Sequence, residues 1–285
     1  MNHATILKLT CPDAVGLLAR LTGFVAERRG NLLEVHQFTE PESGWFFARL
    51  AVDSATLPEG IEGFRRDFEV VARGMRAEWS IRSESQRMRM GILVSKQPHC
   101  LGDLFLRWRL GDLPVEIPLV ISNHPDLEPL VAREGVAFLH VPFEAGDKQA
   151  AFRRIAGAVR DTGVDVLILA RFMQVVPDGL CAEFAGRIIN IHHSFLPAFV
   201  GANPYRRAYE RGVKLIGATC HYATADLDEG PIIDQEVMRV DHSHGPEDLL
   251  RIGRDCERLA LARGVRYHVT DRVLIHGSRT IVFKD

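Results

Sequence analysis

The chain has 285 residues, of which 46% are hydrophobic and 25% are charged, so it can bury a core and is long enough for two domains. Its 35 Lys and Arg residues against 37 Asp and Glu residues give a formal net charge of -2. This balance excludes a general nucleic-acid binder and a polybasic membrane-surface protein, because both need an excess of positive charge.

The first 84 residues predict a βαββαβ unit, the ferredoxin-like arrangement of two helices on one antiparallel sheet. We expect Pro12 to end the first strand, Asp13 to cap the following helix and Gly30 to close that helix. A turn over residues 41–44 joins the second strand to the third. The predicted strands are Ala4–Leu9, Asn31–Thr39, Trp45–Val52 and Ala77–Arg82, and the second helix is Gly60–Arg73.

Residues 85–88 predict a polar linker, and residues 89–285 alternate short apolar runs with helical segments. That alternation predicts an α/β fold with a doubly wound, mostly parallel Rossmann-like sheet. Ligands of such sheets bind beyond the carboxyl ends of the strands, near the point where the strand order reverses. The predicted elements are strands Met90–Ser95, Val115–Ser122, Val136–Val141, Val164–Ala170 and Ile188–Ile191, a helix over Lys148–Arg160, and a final hairpin of Arg272–Ile275 and Thr280–Phe283 around a His276-Gly277 turn.

The sequence lacks a GxGxxG motif after a strand, a GxxxxGK[ST] loop and a GxSxG elbow, so no motif favours nucleotide binding or serine-hydrolase chemistry. The five cysteines are widely spaced and form no CxxC pair, which disfavours a disulfide frame or a Cys-rich zinc site. No leader pattern and no apolar run of the roughly 20 residues that span a membrane is visible. We therefore expect a reduced, cytoplasmic protein.

Polar side chains follow directly on the predicted strand Ile188–Ile191. Asn190 and His192 are two residues apart and therefore face the same side of a strand, where an amide donor and a titratable imidazole can converge on a developing oxyanion. The alternative is that both side chains only satisfy backbone groups of the following loop. His193 is expected to point to the opposite face, in a structural or supporting role.

A second polar cluster, HYATADLDEGP, lies further along the chain. It places Asp226, Asp228 and Glu229 in a Gly-Pro loop, and one of these carboxylates can pair with His192 and orient an attacking water. Spacing alone does not choose between the three acids, and a solvated turn is the alternative. The segment DHSH at residues 241–244 contains an HxH pair but no clear third ligand, so we expect no metal site.

The two clusters together resemble the formyltetrahydrofolate-dependent formyltransferase superfamily, which includes glycinamide ribonucleotide transformylase and methionyl-tRNA formyltransferase. Its pattern of Asn-x-His, Ser-x-Leu-Pro and a loop ending in Asp-x-Gly-Pro is matched here by NIHHSFLP and DEGP. The resemblance implies that Asn190, His192 and Asp228 are the catalytic residues, and so it selects one acid from the cluster.

Within this superfamily the likeness to the formyltetrahydrofolate deformylases covers essentially the whole chain. It is carried by the double histidine at residues 192–193, by VSKQPHCLGDL after the opening strand, by LARFMQVV, and by an N-terminal unit whose CPDAVGLLA and GNLLEV resemble an ACT domain. The resemblance implies hydrolysis of 10-formyltetrahydrofolate to formate and tetrahydrofolate, which supplies formate for purine synthesis. The folate is then the substrate, and no separate cofactor is expected. The folate-binding residues that the resemblance implies are Met173, Gln174, Val175, Val176, Thr224, His193 and Gly230.

The choice of water as acceptor has support from the residues. SKQPHC stands where glycinamide ribonucleotide transformylase carries a Gly-rich phosphate nest, and Pro98 removes one backbone N–H there. Methionyl-tRNA formyltransferase would need a basic module, which a net charge of -2 disfavours. Transfer to a small amine acceptor and a catalytically silent amino-acid sensor remain the alternatives. Asn203 stands where relatives often carry a basic residue, so a charge-based role at that position is in doubt.

The ACT resemblance implies a second, regulatory function. A small amino-acid effector would bind around Asp13, Gly16 and Leu17, in the loop after the first strand, and around Asn31, at the start of the second. The resemblance also implies a homo-oligomer, a dimer or tetramer, because isolated ACT sheets pair side by side. A pure oligomerisation module is the alternative.

Overall fold

The computed structural model describes residues 3–143, 147–197 and 204–284. The chain forms two compact units. The first comprises the residues up to Arg87 together with Thr270–Leu274 and the residues from Ile281 onward, and the second comprises Met88–Val269 and Ile275–Thr280. Within the described ranges, no helix is both long enough and apolar enough to cross a membrane.

The first unit is a four-stranded antiparallel sheet with two helices, which confirms the predicted βαββαβ order. Its elements are β1 (Ala4–Pro12), α1 (Leu17–Glu27), β2 (Leu32–Glu40), β3 (Trp45–Asp53), α2 (Gly60–Met75) and β4 (Glu78–Ser83). The strands lie in the order β2-β3-β1-β4. Alternate residues of the central strands, among them Leu7, Leu9 and Leu50, meet Phe24 of α1 and Phe68 of α2 in one core.

The first helix begins later than the sequence predicts, and the expectation that Asp13 caps it is wrong. β1 continues through Pro12 because that residue still pairs with Trp45 of β3. The exposed Asp13 donates its N–H to the Gly44 carbonyl at 2.8 Å. α1 starts only after Gly16, whose φ of 85° favours glycine. Long-range strand pairing has thus overridden the local capping signal.

Gly30 does not supply the left-handed residue that closes α1, contrary to the prediction. That conformation belongs to Arg29, with a φ of 59°. The Gly30 N–H donates to the Val25 carbonyl at 2.9 Å and so completes the helix end. A Cβ at position 30 would lie 2.8 Å from Val25 Cγ1, so glycine serves close packing at this position.

The second unit is a seven-stranded, mostly parallel sheet with helices, as predicted. Its elements are β5 (Met88–Val94), α3 (His99–Leu110), β6 (Val115–Ser122), α4 (Glu128–Arg133), β7 (Ala137–His140), α5 (Lys148–Asp161), β8 (Val166–Ala170), α6 (Asp178–Glu183), β9 (Ile188–His192), α7 (Pro204–Arg211), β10 (Leu215–Tyr222), β11 (Ile232–Arg239) and α8 (Pro246–Val269). The strand order is β11-β10-β9-β8-β5-β6-β7. Among these described strands, β10 pairs antiparallel with both β9 and β11, and the other pairings are parallel. A hairpin of β12 (Val273–His276) and β13 (Arg279–Val282) follows, and its turn at Gly277-Ser278 lies one residue later than predicted.

The sequence did not predict β10 and β11, the two strands of the antiparallel part of the sheet. In β10 the polar residues Thr219 and His221 are almost fully buried, and they interrupt the apolar run that would mark a buried strand. β11 mixes charged and apolar residues because it lies at the edge of the sheet. β10 matters for the site, since it pairs directly with β9.

The strand order reverses between β5 and β8, which is where the sequence predicts a ligand crevice. Ser95, just after β5, accepts a hydrogen bond from the Met173 N–H at 3.1 Å. The same Ser95 hydroxyl donates to Asn123 Oδ1 at 2.6 Å. One buried hydroxyl therefore fixes the segments that leave β5, β6 and β8.

Candidate active site

A cavity of about 630 Å³ opens beyond the carboxyl ends of β8 and β9. Nine residues that the sequence singles out line it together. They are Met173, Gln174, Val175, Val176, Asn190, His192, His193, Thr224 and Asp228. The structure thus brings the candidate catalytic residues and most of the candidate folate-binding residues to one place, while Asn203 lies outside the described residues.

His192 and Asp228 form a buried pair at the centre of this cavity. His192 Nδ1 lies 3.2 Å from Asp228 Oδ1, and the two side chains are only 7% and 11% exposed. The hydrogen bond from His192 holds the pKa of the Asp228 carboxyl well below its usual range, although partial burial acts in the opposite direction. His192 Nε2 is buried without a hydrogen-bond partner among the described residues, so this nitrogen is left for a ligand.

The three acids of the second cluster have different surroundings. Asp226 and Glu229 are exposed, whereas Asp228 is turned inward to His192. The Asp228 backbone is left-handed, with a φ of 60°, a conformation that Asp tolerates better than most residues. Thr224 Oγ1 donates to the Asp226 carbonyl at 3.0 Å and holds the loop in this form. Burial and loop geometry therefore single out the acid that spacing alone could not.

Asn190 is oriented by His221, a residue that the sequence did not assign to the site. The two are cross-strand partners on β9 and β10, and Asn190 Nδ2 lies 3.1 Å from His221 Nε2. His221 Nδ1 lies 2.9 Å from the Tyr222 carbonyl oxygen, so Nδ1–H donates there and Nε2 accepts from the Asn190 amide. Asp228 Oδ1, at 3.7 Å from Nε2, is beyond hydrogen-bond distance. His221 therefore fixes which end of the Asn190 amide is the donor.

His193 lies in the cavity with His192, and the expectation that it faces the opposite side is wrong. β9 ends at His192, so the two-residue alternation of a strand no longer applies to the next position. The two rings lie 5.1 Å apart at a tilt of 34°. Burial, together with the positive charge of Arg171, lowers the pKa of His193 to about 4. His193 is therefore neutral at physiological pH.

Gly230 does not line the cavity, unlike the other candidate folate-binding residues. A Cβ at this position would lie 1.7 Å from the Tyr222 carbonyl oxygen. The Tyr222 N–H donates to the neighbouring Pro231 carbonyl at 2.9 Å. Glycine here allows the loop to fold back against β10 and so places Asp228.

A buried polar network adjoins the cavity, and the sequence did not predict it. Glu257 of α8 is 1% exposed and lies 2.7 Å from His99 Nε2 and 3.3 Å from Arg171 Nε. The Tyr205 hydroxyl donates to the other carboxylate oxygen of Glu257 at 2.7 Å. Burial acts to raise the pKa of Glu257, but the hydrogen bond from His99 and the charge of Arg171 outweigh it and leave the pKa below its ordinary value. Glu257 is therefore an ionised carboxylate.

One group of potential metal ligands occurs among the described residues: His99, Cys100 and Glu257. Its chemistry does not suit a cation. Burial raises the pKa of the Cys100 thiol well above its ordinary value, so the thiolate is disfavoured. Arg171 already supplies a positive charge to Glu257. The HxH pair is equally unsuited, because His244 Nδ1 lies 2.9 Å from Asp241 in an exposed turn.

The four candidate effector residues lie in the first unit. Asp13 and Asn31 are exposed, and the Asn31 N–H donates to Thr56 Oγ1 at 2.9 Å. Gly16 has open space around it. The Leu17 side chain is buried in the core between sheet and helices, so only its backbone can face a ligand. The surface around Asp13, Gly16 and Asn31 is the part of the predicted effector site that is accessible.

Comparisons with known proteins agree with this architecture. A sequence model of the formyl transferase family matches residues 88–265, and a model of the ACT domain matches residues 5–62. Formyltetrahydrofolate deformylase from Bacillus subtilis (strain 168) is 45% identical over 278 residues, which cover 97% of this chain and 93% of the relative. The protein of the same name from Corynebacterium sp. (strain P-1) is 42% identical over 279 residues, 98% of each chain.

Solved structures show the same relationship. The formyltetrahydrofolate deformylase from Pseudomonas syringae pv. tomato str. DC3000 is similar with a TM-score of 0.98 and 45% identity, covering 100% of this chain and 95% of that one. Glycinamide ribonucleotide transformylase 1 from Symbiobacterium toebii has a TM-score of 0.66 and 35% identity, covering 70% of this chain and 95% of that one. The chain therefore belongs to the formyl transferase family and carries an ACT domain, in the arrangement of the formyltetrahydrofolate deformylases.

Proposed function

We propose that the protein hydrolyses 10-formyltetrahydrofolate to formate and tetrahydrofolate, with water as the acceptor of the formyl group. The observation that carries the proposal is that Asn190 and His192, from the end of β9, line the cavity together with Asp228, from the loop between β10 and β11. Relatives that match over nearly the full length bear the name formyltetrahydrofolate deformylase, which supports the same reaction.

The tautomer of His192 follows from its partner. Nδ1 must carry a proton because it faces the ionised Asp228 carboxylate at 3.2 Å. A neutral His192 therefore presents a lone pair on Nε2, and only the imidazolium presents an Nε2–H donor. The neutral donor tautomer, with its proton on Nε2, would set an Nδ1 lone pair against a carboxylate. Asp228 thus lets His192 hold a proton on Nε2 when the reaction supplies one.

The proposed reaction begins with water at the formyl carbon. The second N–H of the Asn190 amide, whose first N–H is given to His221, donates to the formyl oxygen. His192 Nε2 takes a proton as the water oxygen bonds to carbon, and the resulting imidazolium stabilises the tetrahedral oxyanion. The bond from carbon to N10 then breaks, its electron pair stays on N10, and N10 receives the proton that His192 Nε2 took from the water. Formate leaves with the loss of the remaining acidic proton to solvent.

The segment after β8 offers a surface for the pterin of the folate. Met173 and Val175 are 55% and 63% exposed, large values for apolar side chains. They lie beside Gln174 and Val176 along one edge of the cavity, and Leu227, 61% exposed, lies on another. A flat aromatic ring system can cover these apolar side chains and bond to the backbone between them. We therefore assign the folate to this side of the cavity.

One assay separates hydrolysis from transfer to an amine. The protein is incubated with 10-formyltetrahydrofolate, and formate is measured with and without added small amines. We expect formate at the same rate in both cases. If formate or a formylated product appears only when an amine is present, the protein is a formyltransferase. If no turnover occurs in either case, the remaining function is that of an amino-acid sensor.

The ACT domain supports a second proposal, regulation by a small amino acid that binds near Gly16 and Asn31 of a homo-oligomer. Gly16 leaves room for a ligand to approach the backbone, and Asn31 is exposed to solvent. Calorimetry with each amino acid at millimolar concentration tests this proposal, with light scattering to measure the oligomer. If no amino acid gives a heat of binding, the domain serves only for oligomerisation.

A further inference from the structure

Arg171 lies next to the proposed reaction centre but has no role in the chemistry described above. The parallel pairing of β8 with β9 ends at Leu169 and Asn190. Arg171 and His192 each follow two residues after these paired positions. Arg171 lines the cavity and has a left-handed backbone, with a φ of 63°. Non-glycine residues adopt this conformation rarely, and they do so mainly where function or packing requires it.

The Arg171 guanidinium has unused donors. Its side chain is 14% exposed, and Nη1 is buried without a hydrogen-bond acceptor among the described residues. Nε is also buried and has an ion-pair contact with Glu257 but no hydrogen bond within the same part of the chain. Buried donors of this kind carry a desolvation penalty unless an acceptor arrives. The guanidinium is also close enough for its charge to lower the pKa of His193. A guanidinium with an unused donor at Nη1 thus lies beside the cavity, near His192 and His193.

Glu257 anchors this cation without saturating it. The carboxylate lies 3.3 Å from Arg171 Nε, and its oxygens also accept from His99 and Tyr205. The contact is therefore monodentate, whereas an ideal Arg–carboxylate pair is bidentate, with two parallel N–H···O bonds. A second carboxylate can bind at Nη1, because this nitrogen has no acceptor among the described residues.

We propose that Arg171 binds the carboxylate of formate as it forms, an inference that rests on the proposed function. Hydrolysis converts a neutral formamide into an anion: the water oxygen bonds to the formyl carbon, the carbon–N10 bond breaks, N10 takes a proton and formic acid loses one. The product then has two equivalent oxygens with shared negative charge. Guanidinium matches that planar, two-oxygen geometry, whereas the substrate has only one formyl oxygen to offer.

Product inhibition by formate tests the proposal. In Arg171→Met we expect the inhibition constant of formate to rise about 10-fold to 100-fold, the loss of one or two charge-assisted hydrogen bonds. Arg206→Met is the matched control: Arg206 lines the same cavity but is exposed and pairs with Glu210 on its own helix, so formate inhibition should not change. Unchanged inhibition in Arg171→Met, or an equal loss in Arg206→Met, would overturn the proposal.

Two further measurements keep the test independent of folding and of the proposed function. The double variant R171M/E257Q removes both charges, so it leaves no unpaired buried carboxylate, and it should show the same loss of formate inhibition. In the wild-type protein formate should inhibit at least about 10-fold more strongly than formamide, which has its size without its charge; equal inhibition would refute an anion site. Binding of ¹³C-formate followed by NMR needs no turnover, so it separates failure of the anion site from failure of the proposed hydrolysis.

Discussion

Replacement of Asp228 by Asn is the sharpest perturbation of the proposed catalytic group. The substitution keeps the size of the side chain but removes the charge that faces His192 Nδ1 at 3.2 Å. At an effective dielectric constant of about 20, two unit charges at this separation interact by about 5 kcal/mol before solvent and neighbouring dipoles respond. The pair is only 7% and 11% exposed, so much of this interaction is retained. In the Asp228→Asn variant, the protonated form of His192 therefore loses most of the electrostatic stabilisation that Asp228 provides.

We expect kcat for formate release without an amine acceptor to fall about 10²–10³-fold in Asp228→Asn. This loss corresponds to a rise of about 3 to 4 kcal/mol in the activation free energy, which is smaller than the interaction energy of the charge pair. The KM for 10-formyltetrahydrofolate should change much less, because the folate is proposed to bind along the Met173–Val176 edge.

The matched control is Asp226→Asn, which makes the same charge change two residues away on an exposed side chain. Its kcat should stay within about twofold of the wild type, since exposed charges contribute little. A variant at Asp228 that keeps a third of its activity, or an equal loss at Asp226, would refute the pairing argument.

Three further predictions concern single residues. Asn190→Ala should lower kcat about 10²–10³-fold while circular dichroism shows a folded chain, because one oxyanion donor is lost; near-normal turnover would remove Asn190 from the site. Gly230→Ala should lower the melting temperature and the activity together, since the new Cβ would lie 1.7 Å from the Tyr222 carbonyl oxygen; a variant as stable as the wild type would contradict the close approach. The pKa of His193 is lowered to about 4 in the folded state, so the unfolded state binds more protons between that value and an unfolded pKa of about 6.5. Stability should therefore fall as the pH is lowered through this range, by up to about 3 kcal/mol, and His193→Asn should flatten the dependence in urea titrations.

Local patterns predicted the parts of the structure that depend on local periodicity. The two-residue alternation of a strand placed Asn190 and His192 on one side, and both line the cavity. The alternation of apolar runs with helical segments gave the mostly parallel sheet. The same rule failed for His193, one residue later, because the strand had already ended.

Other parts of the site depend on pairing between distant segments, which periodicity does not encode. His221 meets Asn190 only because β10 runs antiparallel to β9 in a particular register. Arg171 directly follows β8 and Glu257 lies in α8, and buried charges of this kind are indistinguishable in sequence from charges on a solvated face. Asp228 could be chosen from its cluster by resemblance but not by spacing, and its burial beside His192 supplies the physical reason.

The central claim is that water receives the formyl group, and isotope labelling tests it most directly. The protein is incubated with 10-formyltetrahydrofolate and no amine in water enriched in ¹⁸O, and the formate is analysed by mass spectrometry. Because the formyl oxygen is retained and one oxygen comes from solvent, the account predicts formate with one ¹⁸O per molecule during early turnover. Unlabelled formate, or no formate until an amine is added, would contradict it.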